Sequence, residues 1–293
     1  GLEKRLDSSD IIHTTYRQEG TDTGRMSSAD PNLQNIPSRG ERGELIRGLF
    51  VPPSRDYVLL SVDYSQIELR VAAALSHDPV MCKIFNDDSL DIHQHTLETI
   101  LLSKDSSQRR VAKNINFGML YRLSSFGLQR YLANIADPPV VISMQEAERI
   151  RVGFLYQYKR LMAWQDEIIK GMYEDGYVST IMNRRRYFPY LPYAQGYTAE
   201  DMIKAGINMP VQGTAADILK KAMVRIGESN LGNMMRLQVH DELVFIVPKP
   251  VLPYVSRTVS DIMVEEAENI LGIKIKVEMK VGDSWGTMKP YSL

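Results

Sequence analysis

Tyr57-Val58-Leu59-Leu60-Ser61-Val62 is an apolar run interrupted by a single serine, and it stops at Asp63. A short run of this kind reads as a buried strand. A helical pattern follows from Ile67 to about Leu75. Helix-rich stretches then run from about His93 to Tyr131 and from about Met144 to Tyr173. Pro138-Pro139 separates those two stretches, because proline lacks the amide hydrogen that a helix interior needs. The first fifty residues are mostly polar and read as turns, punctuated by Gly20, Gly24, Pro31, Pro37, Gly40 and Gly43. Arg184-Arg185-Arg186 opens a loop rich in tyrosine and proline that reaches Tyr197. Pro210 suits the first turn of a helix running to about Ile226. Arg236 to Val247 reads as two strands around a tight turn at His240-Asp241-Glu242. Strands near both ends with helices between them predict an α+β fold, a sheet carrying a helical lobe.

Composition excludes several classes of function. At 293 residues and 44% hydrophobic content the chain can bury one large core or two modest ones. Its formal net charge of −1 confines any nucleic-acid surface to a local basic stripe. The single cysteine, Cys82, rules out an internal disulfide, and no local signature marks it as a nucleophile. No apolar run approaches membrane-spanning length, and the N-terminus lacks the pattern of a signal peptide. The chain is expected to be soluble and intracellular.

Asp63 opens the first chemical motif, Asp63-Tyr64-Ser65-Gln66-Ile67-Glu68-Leu69-Arg70. A carboxylate at the end of an apolar strand is accessible to a cation, although strand-ending and helix-capping aspartates are common. Asp241-Glu242 supplies a second acidic strand end, which by itself is also an ordinary turn. Together the two could meet across a sheet and hold a pair of metal ions, the geometry of nucleotidyl transfer. Magnesium suits such a site because it takes few protein carboxylates and leaves room for water and phosphates. On a helix, Arg109, Lys113 and Phe117 share one face, with Tyr121 continuing the row. Cations followed by a ring make a handhold for a nucleoside triphosphate, and equally a solvated basic face with a core aromatic. Asn208 and Gln212 flank small residues in Asn208-Met209-Pro210-Val211-Gln212-Gly213, where they can donate into a minor groove or merely belong to a tightly packed helix.

In this order the segments closely resemble the polymerase module of family A DNA polymerases, the DNA polymerase I family. Supporting matches are Thr23-Gly24-Arg25-Met26-Ser27-Ser28, the run from Asp30 to Pro37, Asp91-Ile92-His93 and Arg184-Arg185-Arg186-Tyr187. Gly282-Asp283-Ser284-Trp285 looks like the family's natural C-terminus, so the resemblance extends from about Thr14 to Lys289. It implies a right-hand polymerase palm, an antiparallel sheet packed on helices, with an inserted helical fingers subdomain. The palm would comprise residues 1–78 and 206–293 and the fingers residues 79–205. The implied reaction adds deoxynucleotides to a primer 3′-hydroxyl and releases pyrophosphate, using two magnesium ions, with manganese as a substitute.

The resemblance also implies individual roles. Asp63 and Asp241 would bind both metals with the help of the Tyr64 carbonyl, and Glu242 would support them. Arg109, Lys113 and His93 would hold the triphosphate, with Lys113 protonating the leaving pyrophosphate. Phe117 would pack on the incoming nucleotide, Glu68 and its neighbour Gln66 would line the nucleotide site, Glu68 blocking a ribose hydroxyl, and Tyr121 would hold the template base's place. Arg25, Asn208, Gln212 and His240 would touch primer-template DNA. Two positions depart from the family pattern: Arg122 stands where glycine is usual, available to the template strand or to solvent, and Asn114 replaces a usual threonine. The chain is expected to begin near the end of the family's thumb, with thumb and exonuclease on a missing segment or a second chain. The cytoplasm of a bacterial cell or a virus-infected host is the expected location. Two rivals stand beside this reading, a single-subunit RNA polymerase and a non-catalytic fragment that only binds primer-template. Glu68 and the His-Asp-Glu turn favour DNA synthesis over the first, and the intact carboxylates argue against the second.

Overall fold

The computed structural model describes residues 2–37, 40–134 and 139–293, so Pro138 of the expected helix break lies outside the described residues. In chain order the first elements are β1 (Thr15–Arg17), β2 (Ser27–Ala29), α1 (Gly40–Gly48), β3 (Tyr57–Tyr64), α2 (Ile67–Ser76), α3 (Pro79–Asn86) and α4 (Ile92–Thr99). Next come α5 (Arg109–Leu120), α6 (Ser125–Asn134), α7 (Met144–Gln157), α8 (Lys159–Glu174), β4 (Tyr177–Ser179), β5 (Arg185–Tyr187) and α9 (Gly196–Glu228). The last are β6 (Met235–Val239), β7 (Glu242–Pro248), α10 (Leu252–Leu271), β8 (Val277–Gly282) and β9 (Lys289–Tyr291). They divide into two compact units, Gly1–Ile67 with Ala215–Ile270 and Ile275–Leu293, and Glu68–Thr214 with Leu271–Lys274. Among the described residues no helix is long and apolar enough to cross a membrane.

The first unit is built on a five-stranded sheet in the order β6-β7-β3-β8-β9, antiparallel throughout. β3 is central, which is why its sequence is apolar almost without alternation: Leu60 and Val62 are fully buried. One cluster joins Leu59, Val239 and Val244 of the sheet to Leu33, Ile36 and Trp285. Phe50 meets the Trp285 ring edge-on at 5.6 Å, and the Arg47 guanidinium lies 4.0 Å above it. α10 buries Val255, Val259, Met263 and Ala267, the i, i+4 stripe of an amphipathic helix.

The second unit is helical apart from the small β4–β5 ribbon. Its long expected stretches are interrupted: residues 93–131 carry α4, α5 and part of α6, and residues 144–173 carry α7 and α8. Asp78 caps two helices at once. One carboxylate oxygen accepts from the Val80 and Met81 amides of α3, and the other from the Arg160 and Leu161 amides of α8.

Two expectations are corrected. The helix expected to begin at Pro210 begins at Gly196, and Pro210 lies inside it. An interior proline costs roughly 3 kcal/mol. Here the turn before it is held by packing, for Ile207 and Met209 are fully buried and Met202, Ile203 and Ala205 join the cluster around Met172, Phe188 and Leu191. The expected Arg184–Tyr197 loop is also partly ordered. Arg185–Tyr187 forms β5 against β4, with the Tyr177 and Tyr187 rings 5.6 Å apart and the Arg185 guanidinium 4.6 Å above Tyr177.

Candidate active site

In the first unit the register of the sheet creates an acidic row. Asp63 on β3 stands opposite Glu242 on β7 and Glu278 on β8, so three carboxylates occupy neighbouring positions across three strands. Like charges directly opposite one another are destabilising. Burial pushes the Asp63 carboxyl up to about 7, and Glu242, Asp241 and Glu278 push in the same direction against the single pull of Lys280. The concentration of negative charge is therefore larger than the local cations compensate. Ser61, two residues before Asp63 on the same face of β3, donates to Glu242 Oε1 at 2.5 Å, and Ser65 donates to Glu278 Oε1 at 3.2 Å.

Asp241 joins this edge through the turn. Val239 pairs with Glu242, which leaves a two-residue hairpin loop of His240 and Asp241, with His240 at φ 56°. A left-handed first loop residue is a position glycine usually takes, and histidine accepts it at a modest cost. The Tyr64 amide donates to the Asp241 carbonyl at 3.2 Å, and Arg25 Nη2 lies 3.2 Å from Asp241 Oδ1. The Tyr64 ring is buried and its hydroxyl donates to the Met263 carbonyl at 2.7 Å, so this side chain anchors the strand end. Burial, with Glu266 and Asp241 nearby, raises its phenol well above the usual range. Gln66, at φ 56°, closes the strand before α2.

The turn is braced by Gln238 and Tyr16, which nothing in the local sequence marks, and by Ser28 and Gln34 from the two matching segments near the N-terminus. Gln238 Nε2 donates to the His240 carbonyl at 2.5 Å, and Gln238 Oε1 accepts from Gln34 Nε2 at 2.7 Å. Gln34 Oε1 in turn accepts from the Ser28 amide, and the Tyr16 hydroxyl donates to the Gln238 carbonyl at 3.0 Å. Glu278 was likewise missed, because it sits in the evenly alternating Val277-Glu278-Met279-Lys280.

The second unit carries the remaining candidates. Arg109, Lys113 and Phe117 lie along α5, with Lys113 Nζ 6.0 Å from the Phe117 ring centre, and Tyr121 caps the helix C-terminus. Arg109 forms a fork with Asp91, Nε to Oδ1 at 3.2 Å and Nη2 to Oδ2 at 2.6 Å. Against the cost of its partial burial, that fork and the Gln94 amide hold Asp91 below the usual carboxylate range. His93, in the first turn of α4, is 1% exposed and its ring lies 6.3 Å from that of Phe117. Burial lowers the His93 pKa to about 4; Asp91 opposes, while Arg109 and Lys113 reinforce the drop. Tyr121 donates its hydroxyl to Glu68 Oε2 at 2.5 Å. Arg122, at φ 59°, makes an ion pair of 2.6 Å with Asp166. Asn208 and Gln212 stand four residues apart on α9, both half-buried.

The family model described as DNA polymerase family A matches residues 1–287. The chain belongs to this family. DNA polymerase I of Bacillus subtilis (strain 168) is 38% identical over 282 residues, which are 94% of this chain and 31% of that protein. The thermostable DNA polymerase I of Thermus aquaticus is 38% identical over 284 residues, 95% of this chain and 33% of that protein. The chain thus spans about a third of the length of these relatives. A solved structure, the POL domain of Pol1 from M. smegmatis in complex with DNA primer-template and dNTP, superposes with a TM-score of 0.85 at 32% identity. It covers 98% of this chain and 50% of that one. The expected α+β polymerase fold, with an antiparallel sheet and helices, is the fold of this family A chain.

Proposed function

We propose that the chain performs template-directed DNA synthesis, joining a deoxynucleotide to a primer 3′-hydroxyl with release of pyrophosphate. The observation that carries this reading is the acidic row of Glu242, Asp63 and Glu278 beside Asp241, in a chain of family A. The sheet-bearing unit is read as the palm and the helical unit as the fingers.

Among the described residues no three or more histidine, cysteine or carboxylate side chains form a metal cage. A hard cation such as magnesium does not need one, since it keeps water and phosphate oxygens in most positions. The donor set fits it: Glu242, Asp241 and Glu278 surround Asp63 with negative charge that a cation would offset, and all the ligands on offer are oxygens. Asp63, Asp241 and the Tyr64 carbonyl would hold the ions, with Glu242 supporting them and manganese able to substitute. When bound, the ions supply Lewis acidity to the primer hydroxyl and to the departing pyrophosphate.

The chain's own residues do the rest. Lys113 and His93 bind triphosphate oxygens, and Lys113 gives a proton to the pyrophosphate. Arg109 reaches the same phosphates with its free edge while Asp91 holds the other. Phe117 packs against the incoming sugar and base, and Glu68, steadied by Tyr121, fills the space of a ribose 2′-hydroxyl. Gln66 supports that nucleotide site, and Tyr121 keeps the template base's place before closure. Arg25, His240, Asn208 and Gln212 face the primer-template near its end, and Arg122 reaches the template by exchanging Asp166 for a phosphate. The bound DNA and dNTP of the M. smegmatis protein support this choice of partners.

Incubating the chain with primer-template, one deoxynucleoside triphosphate and magnesium, and measuring both primer length and pyrophosphate, tests the reading. One pyrophosphate per added nucleotide is expected. Binding of primer-template with no pyrophosphate released would replace it with a purely binding role.

A further inference from the structure

We propose that Asn116 is a positioning residue that fixes the His93 imidazole with its proton on Nε2, so that the uncharged ring presents a hydrogen-bond donor to an anionic oxygen. His93 and Asn116 are each 1% exposed, and their side chains meet between α4 and α5. Asn116 Nδ2 lies 3.3 Å from the Ile92 carbonyl oxygen and 2.9 Å from His93 Nδ1. A carbonyl oxygen can only accept, so the atom facing it must be the amide nitrogen, and this settles which way the Asn116 amide is turned. Its oxygen is accordingly the atom that accepts from Thr96 Oγ1 at 2.7 Å.

The orientation of the amide decides the imidazole. The same Nδ2 donates to His93 Nδ1, which must therefore carry its lone pair, and the ring proton sits on Nε2. Behind Asn116 the order continues: Thr96 spends its hydroxyl proton on Asn116, so the Tyr158 hydroxyl, 3.4 Å away, donates to Thr96. Every hydrogen from Tyr158 through Thr96 and Asn116 to His93 points in one direction, and backbone and side chain within the second unit fix all of it.

The far end of this chain is unfinished. His93 Nε2 is buried and has no hydrogen-bond partner among the described residues. A buried donor left without an acceptor is costly, so this one calls for a partner from outside the described residues. Two cations, Lys113 and Arg109, are close enough to act on the His93 charge and favour an anion there, against the opposing charge of Asp91. That the anion is a triphosphate rests on the proposed polymerase reading; the tautomer does not.

Long-range proton–nitrogen correlation spectra of the 15N-histidine-labelled chain near pH 7.5 report the tautomer of each of its five histidines. His93 is assigned by the signal lost in His93→Gln. The expected result is His93 protonated on Nε2 alone. Asn116→Asp, which places an acceptor against Nδ1, should put a proton on that nitrogen, in the Nδ1–H tautomer or in a charged ring, and should weaken triphosphate binding about tenfold where Nε2 gives up its own proton. Should that variant not fold, Asn116→Ala serves instead by removing the donor that faces Nδ1, and mixed tautomers are expected. An ordinary mixture of tautomers in the parent chain, or an unchanged His93 spectrum in the folded variant, overturns the proposal. Titration of the parent with inorganic triphosphate separates the two claims. Movement of the Nε2 signal supports both, whereas a fixed Nε2–H tautomer that ignores triphosphate keeps Asn116's role and overturns the triphosphate assignment.

Discussion

Replacing Asp78 by alanine should destabilise the helical unit by about 4 kcal/mol. The carboxylate is 1% exposed and accepts from four backbone amides, Val80 and Met81 at 3.1 Å and Arg160 and Leu161 at 3.2 Å. Losing a helix cap costs roughly 1 kcal/mol per helix, and bonds to a charged acceptor are worth about 1.5–3 kcal/mol. Two caps lost together, with the Met81 and Leu161 amides left buried, give the larger total. Asp78→Asn should recover only part of it, because an amide oxygen can serve one helix while its nitrogen confronts the donors of the other. The chain's two tryptophans make this measurable: Trp164 lies on α8 and Trp285 in the sheet-bearing unit. Urea unfolding in a Trp285→Phe background, followed through Trp164 fluorescence, reads the helical unit alone. A loss below about 1 kcal/mol for the alanine variant, or an asparagine variant as stable as the parent, would refute the double-cap argument.

Other consequences are independent of that one. Glu68→Ala should admit ribonucleotides at least about tenfold better relative to deoxynucleotides, and Tyr121→Phe, which removes the hydroxyl that steadies the carboxylate, should have a smaller effect of the same sign; unchanged discrimination in competition assays would place the gate elsewhere. Gln238→Leu should lower the rate of incorporation without changing nucleotide affinity, because it removes the brace on the His240 carbonyl; a change in affinity with the rate intact would contradict that role. His93 makes stability depend on pH with a defined sign. Its pKa is near 4 when folded and about 6.5 when unfolded, so the unfolded chain alone gains the proton as pH falls through that window, and stability is lost. Between pH 7 and pH 5 the parent should lose about 2 kcal/mol more than His93→Gln; equal losses in calorimetry would show that His93 titrates normally.

What was legible in the sequence depended on whether the cue was local. The β3 run and the turn at Asp241 were read within a residue or two because a central strand shows as an unbroken apolar run. The start of α9 was misread because Pro210 matches a first-turn signal, and only the packing of Met209 against the Met172 cluster reveals an interior proline. Glu278 and Gln238 reach the acidic edge through strand register, Asp166 meets Arg122 from 44 positions away, and Asn116 matters through the turn of an amide. None of these leaves a spacing rule in the chain.

Single-turnover incorporation by the parent chain and by Asp63→Asn, with primer-template affinity measured on the same samples, tests the central claim most directly. Asparagine removes a charge that the fold disfavours, so the variant should fold at least as stably as the parent and a loss of rate cannot be assigned to unfolding. The account predicts a rate lower by about a thousandfold or more, because positioned charge supplies most of the catalysis in this class of reaction, with affinity nearly unchanged. A rate within about tenfold of the parent would remove Asp63, and the acidic row around it, from the chemistry.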